Sequence, residues 1–449
     1  MSFDFYGGFG FKPELQGKIS GDIPFFKVSD INKDTIWIEF ANNYIDYADL
    51  EKNQWKTIPK DALIIAKIGE ALKKNHRKFT KVECLIDNNL LAIKLNNNLY
   101  LVEFIHYIFS IIDMSWYDNG STIPAVNMNL FKNELIPLPP LPTQQAIVEY
   151  LDTKTNLISQ FITDKQTMIT RLKEQKQSLI HSAVTGKIPL LRGGNEVDGV
   201  DIIPKNNNLN TRSNLQSTSP SHSSGTPQEE NLFKPTNIPW LGDIPADWEV
   251  VKLKQVLTKL TDGSHISVKS LDEGKPYVTV TNINQKTGKI DLENCQKISD
   301  EEYLALVKNG CKPELGDILF SQIGTIGLTV EVKEDADFVM LSSLAILRTK
   351  QSLINSNYLI YLLLSDLIIQ QYLLSMDGGA VKRITLKHIS NFQIPLPQLE
   401  AQKAIVEYLD IETAKIDTLI DTIAQEIELT REYKQSLIYK AVTGKISVE

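Results

Sequence analysis

Residues 136–152 read IPLPPLPTQQAIVEYLD, and residues 394–410 read IPLPQLEAQKAIVEYLD. The same offset of 258 links QSLIHSAVTGKI at 177–188 to QSLIYKAVTGKI at 435–446. About half of the positions from 136 to 188 are identical to their counterparts, and no insertion separates the blocks. The chain is therefore a tandem duplication. Upstream the identity weakens, although Gly120 and Gly378 still correspond. Further back, PFFKVSDIN at 24–32 parallels PYVTVTNIN at 276–284, where the offset has fallen to 252. Each half is thus a variable module followed by a nearly invariant one.

The invariant modules read as long helices. Pro137, Pro139 and Pro142, and likewise Pro395 and Pro397, keep the approach extended. From Gln144 and Gln402 onward no Pro or Gly intervenes until Gly186 and Gly444. Ile416, Ile420, Ile423, Ile427 and Leu437 recur at heptad spacing, as do Ile158, Ile162, Lys165, Ile169, Leu172 and Leu179. Thr-Gly-Lys ends each stretch, with Gly suited to the left-handed position after the last turn. About 42 residues at 1.5 Å each predict rods of about 60 Å, most simply packed antiparallel.

The variable modules read as mixed and β-rich. Strand character falls at Ile36–Phe40, Leu90–Leu95 and Leu344–Leu347, and GDILFSQIG at 316–324 reads as turn, strand and turn. Residues 205–230, KNNNLNTRSNLQSTSPSHSSGTPQEE, form an Asn/Ser/Thr/Pro-rich flexible linker. The expected fold class is α+β, with a first module at 1–142, a long helix at 143–188 and a linker at 189–237. A second module at 238–400 and a second long helix at 401–449 complete it.

Composition narrows the function. Apolar residues make up 42% and charged residues 23%, an ordinary water-soluble balance. The net charge of −8 argues at first against a nucleic-acid binder, because phosphates are met by Lys and Arg. Cys84, Cys295 and Cys311 are scattered, and no Cys/His cluster has metal-ligand spacing, which fits a reducing cytoplasm without disulfides or zinc. The start lacks the features of a signal peptide. The apolar stretches Leu101–Ile112 and Tyr358–Leu374 are too short and too interrupted for membrane spans, and read as buried helices.

A search for catalytic motifs returns little. G-x-x-x-x-G-K-[ST] is absent, Gly7-Gly8-Phe9-Gly10 follows no strand, and no methyltransferase tetrapeptide or Gly-rich cofactor loop is found. Glu83, Asp87 and Lys94 could be assembled into a metal-dependent nuclease site, yet such spacings are common on strands. Thr185-Gly186-Lys187 invites a phosphate reading, but capping explains its recurrence better. Positive charge concentrates in Lys73-Lys74-Asn75-His76-Arg77-Lys78, with Lys81, and in Lys382-Arg383 with Lys387. The plain reading of such runs is a solvated loop. Asp262-Gly263-Ser264-His265 opens a polar loop. Lys67, Arg77, Thr281, Asn282 and Gln322 are residue types that read base edges, though most polar residues on a half-buried sheet face only water.

Taken together, the duplicated helix motifs resemble the specificity subunit of type I restriction–modification systems. IPWLGDIPADWEVVKL at 238–253, DGSHISVKSLDEGKPYVTVTNIN at 262–284 and GDILFSQIGTIG at 316–327 are similar to that family's target recognition domains, as is GFGFKPELQGKISGDIPFFKVSDIN at 8–32. The resemblance covers nearly the whole chain outside the linker. It implies two target recognition domains separated by two long antiparallel coiled-coil helices. Each domain would read half of a bipartite double-stranded DNA target, and the helices would set the spacer.

The helices would also dock two modification subunits carrying the adenine methyltransferase chemistry, which a restriction subunit with translocase and nuclease activity would join. S-adenosylmethionine, ATP and Mg would then sit on those partners, with no cofactor and no catalysis on this chain. Carried over by position, the DNA-facing residues are Lys12, Lys27, Ser29, Asp30, Lys67, Lys73, Lys74, Arg77 and Lys78. In the second half they are His265, Thr279, Thr281, Asn282, Gln322, Lys382 and Arg383. The partner face is carried by Leu157, Phe161, Met168 and Leu172, with Leu419 and Ile427 in the second copy.

One departure stands out. Trp248 precedes Pro276 by 28 residues, and the first module has no room for such a segment before Pro24. The first domain is therefore expected to be truncated at its N-terminus and to read its half-site weakly. Two other classes compete. Methyl transfer by this chain alone would reveal a self-sufficient enzyme. Failure both to recover a methyltransferase partner and to shift DNA would reveal a coiled-coil adaptor. Acidity is spread over the modules and is heaviest on the second long helix, so the charge argues against unaided DNA binding rather than against DNA recognition.

Overall fold

The computed structural model describes residues 3–32, 35–95, 98–188, 232–334, 337–375 and 382–448. The expected linker from 189 through 231, and Gly378-Gly379, lie outside the described residues. Two long helices, Leu141–Val184 and Leu399–Val442, have 44 residues each. The chain divides into two compact units, Met1–Met168 with Thr422–Glu449, and Ile169–Asp421. Each unit thus owns one variable module and a portion of both long helices.

In the first unit, β1 (Asp4–Gly7), β8 (Leu90–Lys94), β5 (Ala62–Ala66), β6 (Arg77–Thr80) and β3 (Trp37–Ile38) form a five-stranded sheet in that order. A smaller sheet orders β4 (Tyr44–Ile45), β2 (Ile23–Phe26) and β7 (Leu85–Ile86). Alternation along the central strands divides the core. Leu63, Ile65, Leu91 and Ile93 pack with Phe104, Ile105 and Ile108 of helix Val102–Ile111 and with Leu151 and Ile438 of the long helices. Ala62, Ile64, Leu90 and Ala92 face the other way, onto Phe26 and Ile86. Covered on both faces, these strands are apolar runs without polar alternation.

The second unit repeats the plan. β10 (Leu257–Asp262), β16 (Leu344–Thr349), β13 (Ile318–Ser321) and β14 (Thr329–Glu331) form the main sheet, and β12 (Gln296–Ile298), β11 (Lys275–Val278) and β15 (Val339–Met340) the smaller one. Strand directions match those of the first unit, including the parallel pairs β2·β7 and β11·β15. Ile318, Phe320, Ala345 and Leu347 join the helical layer, while Leu319, Leu344 and Ile346 meet Val278 and Met340. Tyr358–Leu374 bends by 60° into helices Ser356–Leu364 and Asp366–Ser375, whose inner residues Leu359, Leu362, Leu363 and Leu367 are buried. Among the described residues, no single helix is long and apolar enough to cross a membrane.

Within each unit the long helices run antiparallel. In the first, Lys165 pairs with Glu426 at 2.7 Å and Lys434 donates to Ser159 at 2.9 Å. In the second, Lys176 pairs with Asp417 at 2.6 Å, and Ile180 and Val184 share a core with Ile405 and Leu409. Ile423 and Ile427 are buried in the helix pairing. Each helix ends in the same motif: Gly186 and Gly444 adopt φ of 71° and 70°, and Lys187 N–H and Lys445 N–H each donate at 2.8 Å to a carbonyl five residues back. Both helices start before the glutamine expected to open them, at Leu141 and Leu399. Pro142 fits inside the first turn because no intrahelical N–H bond is needed there.

The first unit carries an opening strand, since β1 pairs with β8 as β10 pairs with β16. What differs lies elsewhere. In the second unit β9 (Glu249–Lys252) pairs with β17 (Gln393–Leu396), whereas the counterparts of β17 in the first unit, residues 135–138, form no strand and Leu135 is 90% exposed. The expected Ile36–Phe40 strand shortens to Trp37–Ile38. The second module begins earlier than 238, with the hairpin of Phe233–Pro235 and Asp243–Pro245.

Candidate nucleic-acid interface

Each main sheet delivers its candidate residues at the exit of its central strand. Lys67 follows β5; its N–H donates to Asn89 O and its carbonyl accepts from Val126 N–H, both at 2.9 Å. Gly69 N–H then donates to Pro124 O at 2.7 Å, and Ile68 bridges Ala125. In the second unit Gln322 follows β13; its N–H donates to Ser343 O and its carbonyl accepts from Ile384 N–H, again at 2.9 Å. Gly324 N–H donates to Lys382 O at 3.0 Å, and Ile323 bridges Arg383. Gly69 and Gly324 take φ of 76° and 78°, a conformation that only glycine adopts cheaply.

Around this exit the second unit gathers most of its expected readers. Gln322 Nε2 donates to Ser342 O at 2.7 Å and to Asp262 Oδ2 at 3.2 Å. The same Asp262 oxygen lies 3.0 Å from His265 Nε2, whose ring is exposed. Ser264 bridges Leu341, and Leu341 N–H donates to Val278 O, which brings the Thr279–Asn282 turn alongside. Lys382, Arg383 and Thr281 are exposed. Thr279 Oγ1 and Thr281 Oγ1 lie 2.8 Å apart.

Several expected readers are internal instead. Arg77 is buried and spends its guanidinium on the Ile112 carbonyl and on Asn75, with O at 3.1 Å and Oδ1 at 3.2 Å. Burial pushes it down to about 10, partly opposed by Asp113. Lys78 is buried and donates to Thr35 O. Both belong to β6, where the positive run enters the sheet, so the localised patch expected from Lys73 to Lys78 is reduced to its exposed start. There Lys73 pairs with Glu70 at 2.9 Å and Lys74 is exposed.

Asp30 and Asn282 are buried turn-holders at equivalent positions. Each accepts the backbone N–H three residues earlier, from Lys27 at 2.7 Å and Thr279 at 2.9 Å. Gln322 is buried too, and its Oε1 has no hydrogen-bond partner. Burial removes these side chains from base edges. Lys12 and Ser29 are exposed, while Lys27 places its ammonium 3.7 Å from the Phe11 ring centroid.

The expected catalytic alternative does not assemble. Glu83 accepts from Thr57, Asp87 from the Asn89 backbone at 2.7 Å, and Lys94 donates to Lys60 O at 2.6 Å, each in its own turn. No group of three or more His, Cys, Asp or Glu side chains among the described residues could hold a metal ion. On the helices, Leu157, Phe161 and Met168 are 63%, 43% and 49% exposed on one face of the first, and Leu419 is 45% exposed on the second. Leu172 is half-buried. Ile427, expected on the partner face, is only 4% exposed because it packs into the helix pairing.

Reading by residue type missed the segment Pro124–Val126 and the role of Asp262. A signal existed: the Gly120–Gly378 correspondence, continued at offset 258, aligns Pro124-Ala125 with Lys382-Arg383.

Two homologous sheet-based units, each presenting polar loops at a strand exit and each bound to long paired helices, define a duplicated recognition scaffold. The family described as the type I restriction modification DNA specificity domain matches residues 10–171 and 245–429. The chain is 22% identical to the type I restriction enzyme EcoBI specificity subunit of Escherichia coli, over 98% of this chain and 84% of that one. It is 27% identical to the MjaVIII specificity subunit of Methanocaldococcus jannaschii, over 74% and 66%. A chain solved in work on complex assembly and conformational transition of the type I R-M system shares the fold, with a TM-score of 0.60, 18% identity and coverage of 94% and 91%. The chain belongs to the type I restriction–modification specificity-subunit family.

Proposed function

We propose that this chain is the non-catalytic, sequence-reading subunit of a type I restriction–modification complex, with each unit reading one half of a bipartite DNA target. The observation that carries this reading is the repetition of one strand-exit geometry in both units, with matching bridges at Ile68·Ala125 and Ile323·Arg383. A duplicated reader suits a target of two separated halves. The long antiparallel helices set the spacer and offer Leu157, Phe161 and Met168 to methyltransferase subunits, which carry S-adenosylmethionine. ATP and Mg belong to a restriction subunit. Family membership and the acidic second helix support a division of labour in which partners supply much of the phosphate contact.

Single-molecule sequencing of genomic methylation, with and without this chain in the host, tests the proposal. Adenine methylation at one bipartite motif is expected only when the chain is present. Methylation that persists unchanged without it, or that marks a single uninterrupted motif, overturns the reading.

A further inference from the structure

The strand-exit loops of the two units coincide hydrogen bond for hydrogen bond, yet their charges do not. In the first unit the residue after the central strand is Lys67, and the segment it faces offers the uncharged Pro124 and Ala125. In the second unit the same position is Gln322, buried and tied down by Ser342 and Asp262. There the facing segment carries the exposed pair Lys382 and Arg383. A cation therefore stands on one side of this bridge in each unit, and on opposite sides in the two.

Neighbouring groups are compatible with an anion at this place. Among the described residues, Lys67, Lys382 and Arg383 are in no ion pair. The nearest acid in the second unit, Asp262, is occupied by Gln322 and His265. In the first unit, Asp118 accepts the Ala125 backbone N–H at 3.2 Å and that of Gly120 at 3.3 Å.

We infer that Lys67 in one unit and Lys382-Arg383 in the other occupy a single equivalent phosphate-contacting position, whose charge has exchanged sides of the bridge between the duplicated halves. The inference rests on the DNA-reading function proposed above and deepens it. It assigns the exposed cation at the bridge to backbone positioning, and removes Gln322 and the Arg77–Lys78 pair from DNA contact. Because the bridge fixes both backbones, a cation introduced on the other partner reaches the same region of space.

The test is the salt dependence of DNA binding by the full chain assembled with its modification subunits, on a fragment carrying the methylated motif. Lys67→Gln should reduce the slope of log K against log salt by about 1, the value for one lost phosphate contact. Adding Ala125→Arg to Lys67→Gln should restore it. Lys382→Ala with Arg383→Ala, both exposed and harmless to folding, should reduce the slope by about 1 to 2. Lys74→Gln, which removes an exposed cation elsewhere, should leave it unchanged.

An unchanged slope in Lys67→Gln or in the Lys382/Arg383 double variant overturns the inference. So does a deficit in Lys67→Gln that Ala125→Arg does not repair. Failure of the underlying function looks different: the unsubstituted complex would then bind its motif no better than a scrambled fragment, and both proposals fall.

Discussion

A buried glutamine opens each long helix and shows why the duplicated motif keeps its residues. Gln144 Oε1 accepts from Leu101 N–H at 2.9 Å, and its Nε2 donates to Leu99 O and Pro139 O at 2.9 and 2.8 Å. Gln402 does the same with Asn355 N–H, Leu353 O and Pro397 O. Both are fully buried. Gln144→Ala orphans one donor and two acceptors, so a loss of about 2–3 kcal/mol is expected from the urea midpoint. His106 supplies a pH-dependent term. Burial, then Arg77 and Lys78, push its imidazole down to about 4, with Lys434 acting likewise and Asp152 opposing.

The unfolded chain takes up that proton below about 6.5, the folded one only near 4, so stability falls as pH drops across this window. The loss is on the order of 2–3 kcal/mol. Urea midpoints measured between pH 7 and 4 should lose much of their slope in His106→Phe, a ring that suits the contacts with Phe79 and Tyr107. Residue types alone could not place these groups. Arg77 and Lys74 look equally available in the sequence, and only strand pairing buries one of them.

At the scale of the element, the heptad spacing marked the inner face of the helices correctly but could not apportion its members. Ile423 and Ile427 are 2% and 4% exposed, so Ile427→Ala should cost about 2–4 kcal/mol in unfolding experiments. The ion pair of Lys165 with Glu426 is partly exposed, and Lys165→Ala should cost less than about 1 kcal/mol. Leu157, Phe161 and Met168 present the opposite case. Changing all three to Ser should leave the unfolding midpoint nearly unchanged and abolish co-purification of the methyltransferase subunit; full recovery of that subunit would place the docking face elsewhere. The strands were legible where both faces are buried, as in β8 and β13. β3 was not, because its two paired residues depend on β6 rather than on any local pattern.

For the whole molecule, the proposed spacer role makes a geometric demand. Inserting seven residues into both long helices at matched points keeps the seam in register and lengthens each by about 10 Å. The preferred spacer in the methylated motif should then lengthen by about 3 base pairs, at 3.4 Å per step. An unchanged spacer in methylation sequencing would dismiss the ruler. The same scale separates two kinds of knowledge. The sequence by itself determined the duplication, the two long helices and their Gly caps, because these depend on local chemistry repeated at a constant offset.

Only the tertiary structure decided which polar residues remain available to DNA. That choice is set by partners distant in the chain: Ile112 and Thr35 claim Arg77 and Lys78, Asp262 and Ser342 claim Gln322, and the bridge partners expose Lys382 and Arg383. Burial and hydrogen bonding are properties of the packed neighbourhood, and a polar side chain carries no local mark of whether the fold or the solvent will receive it.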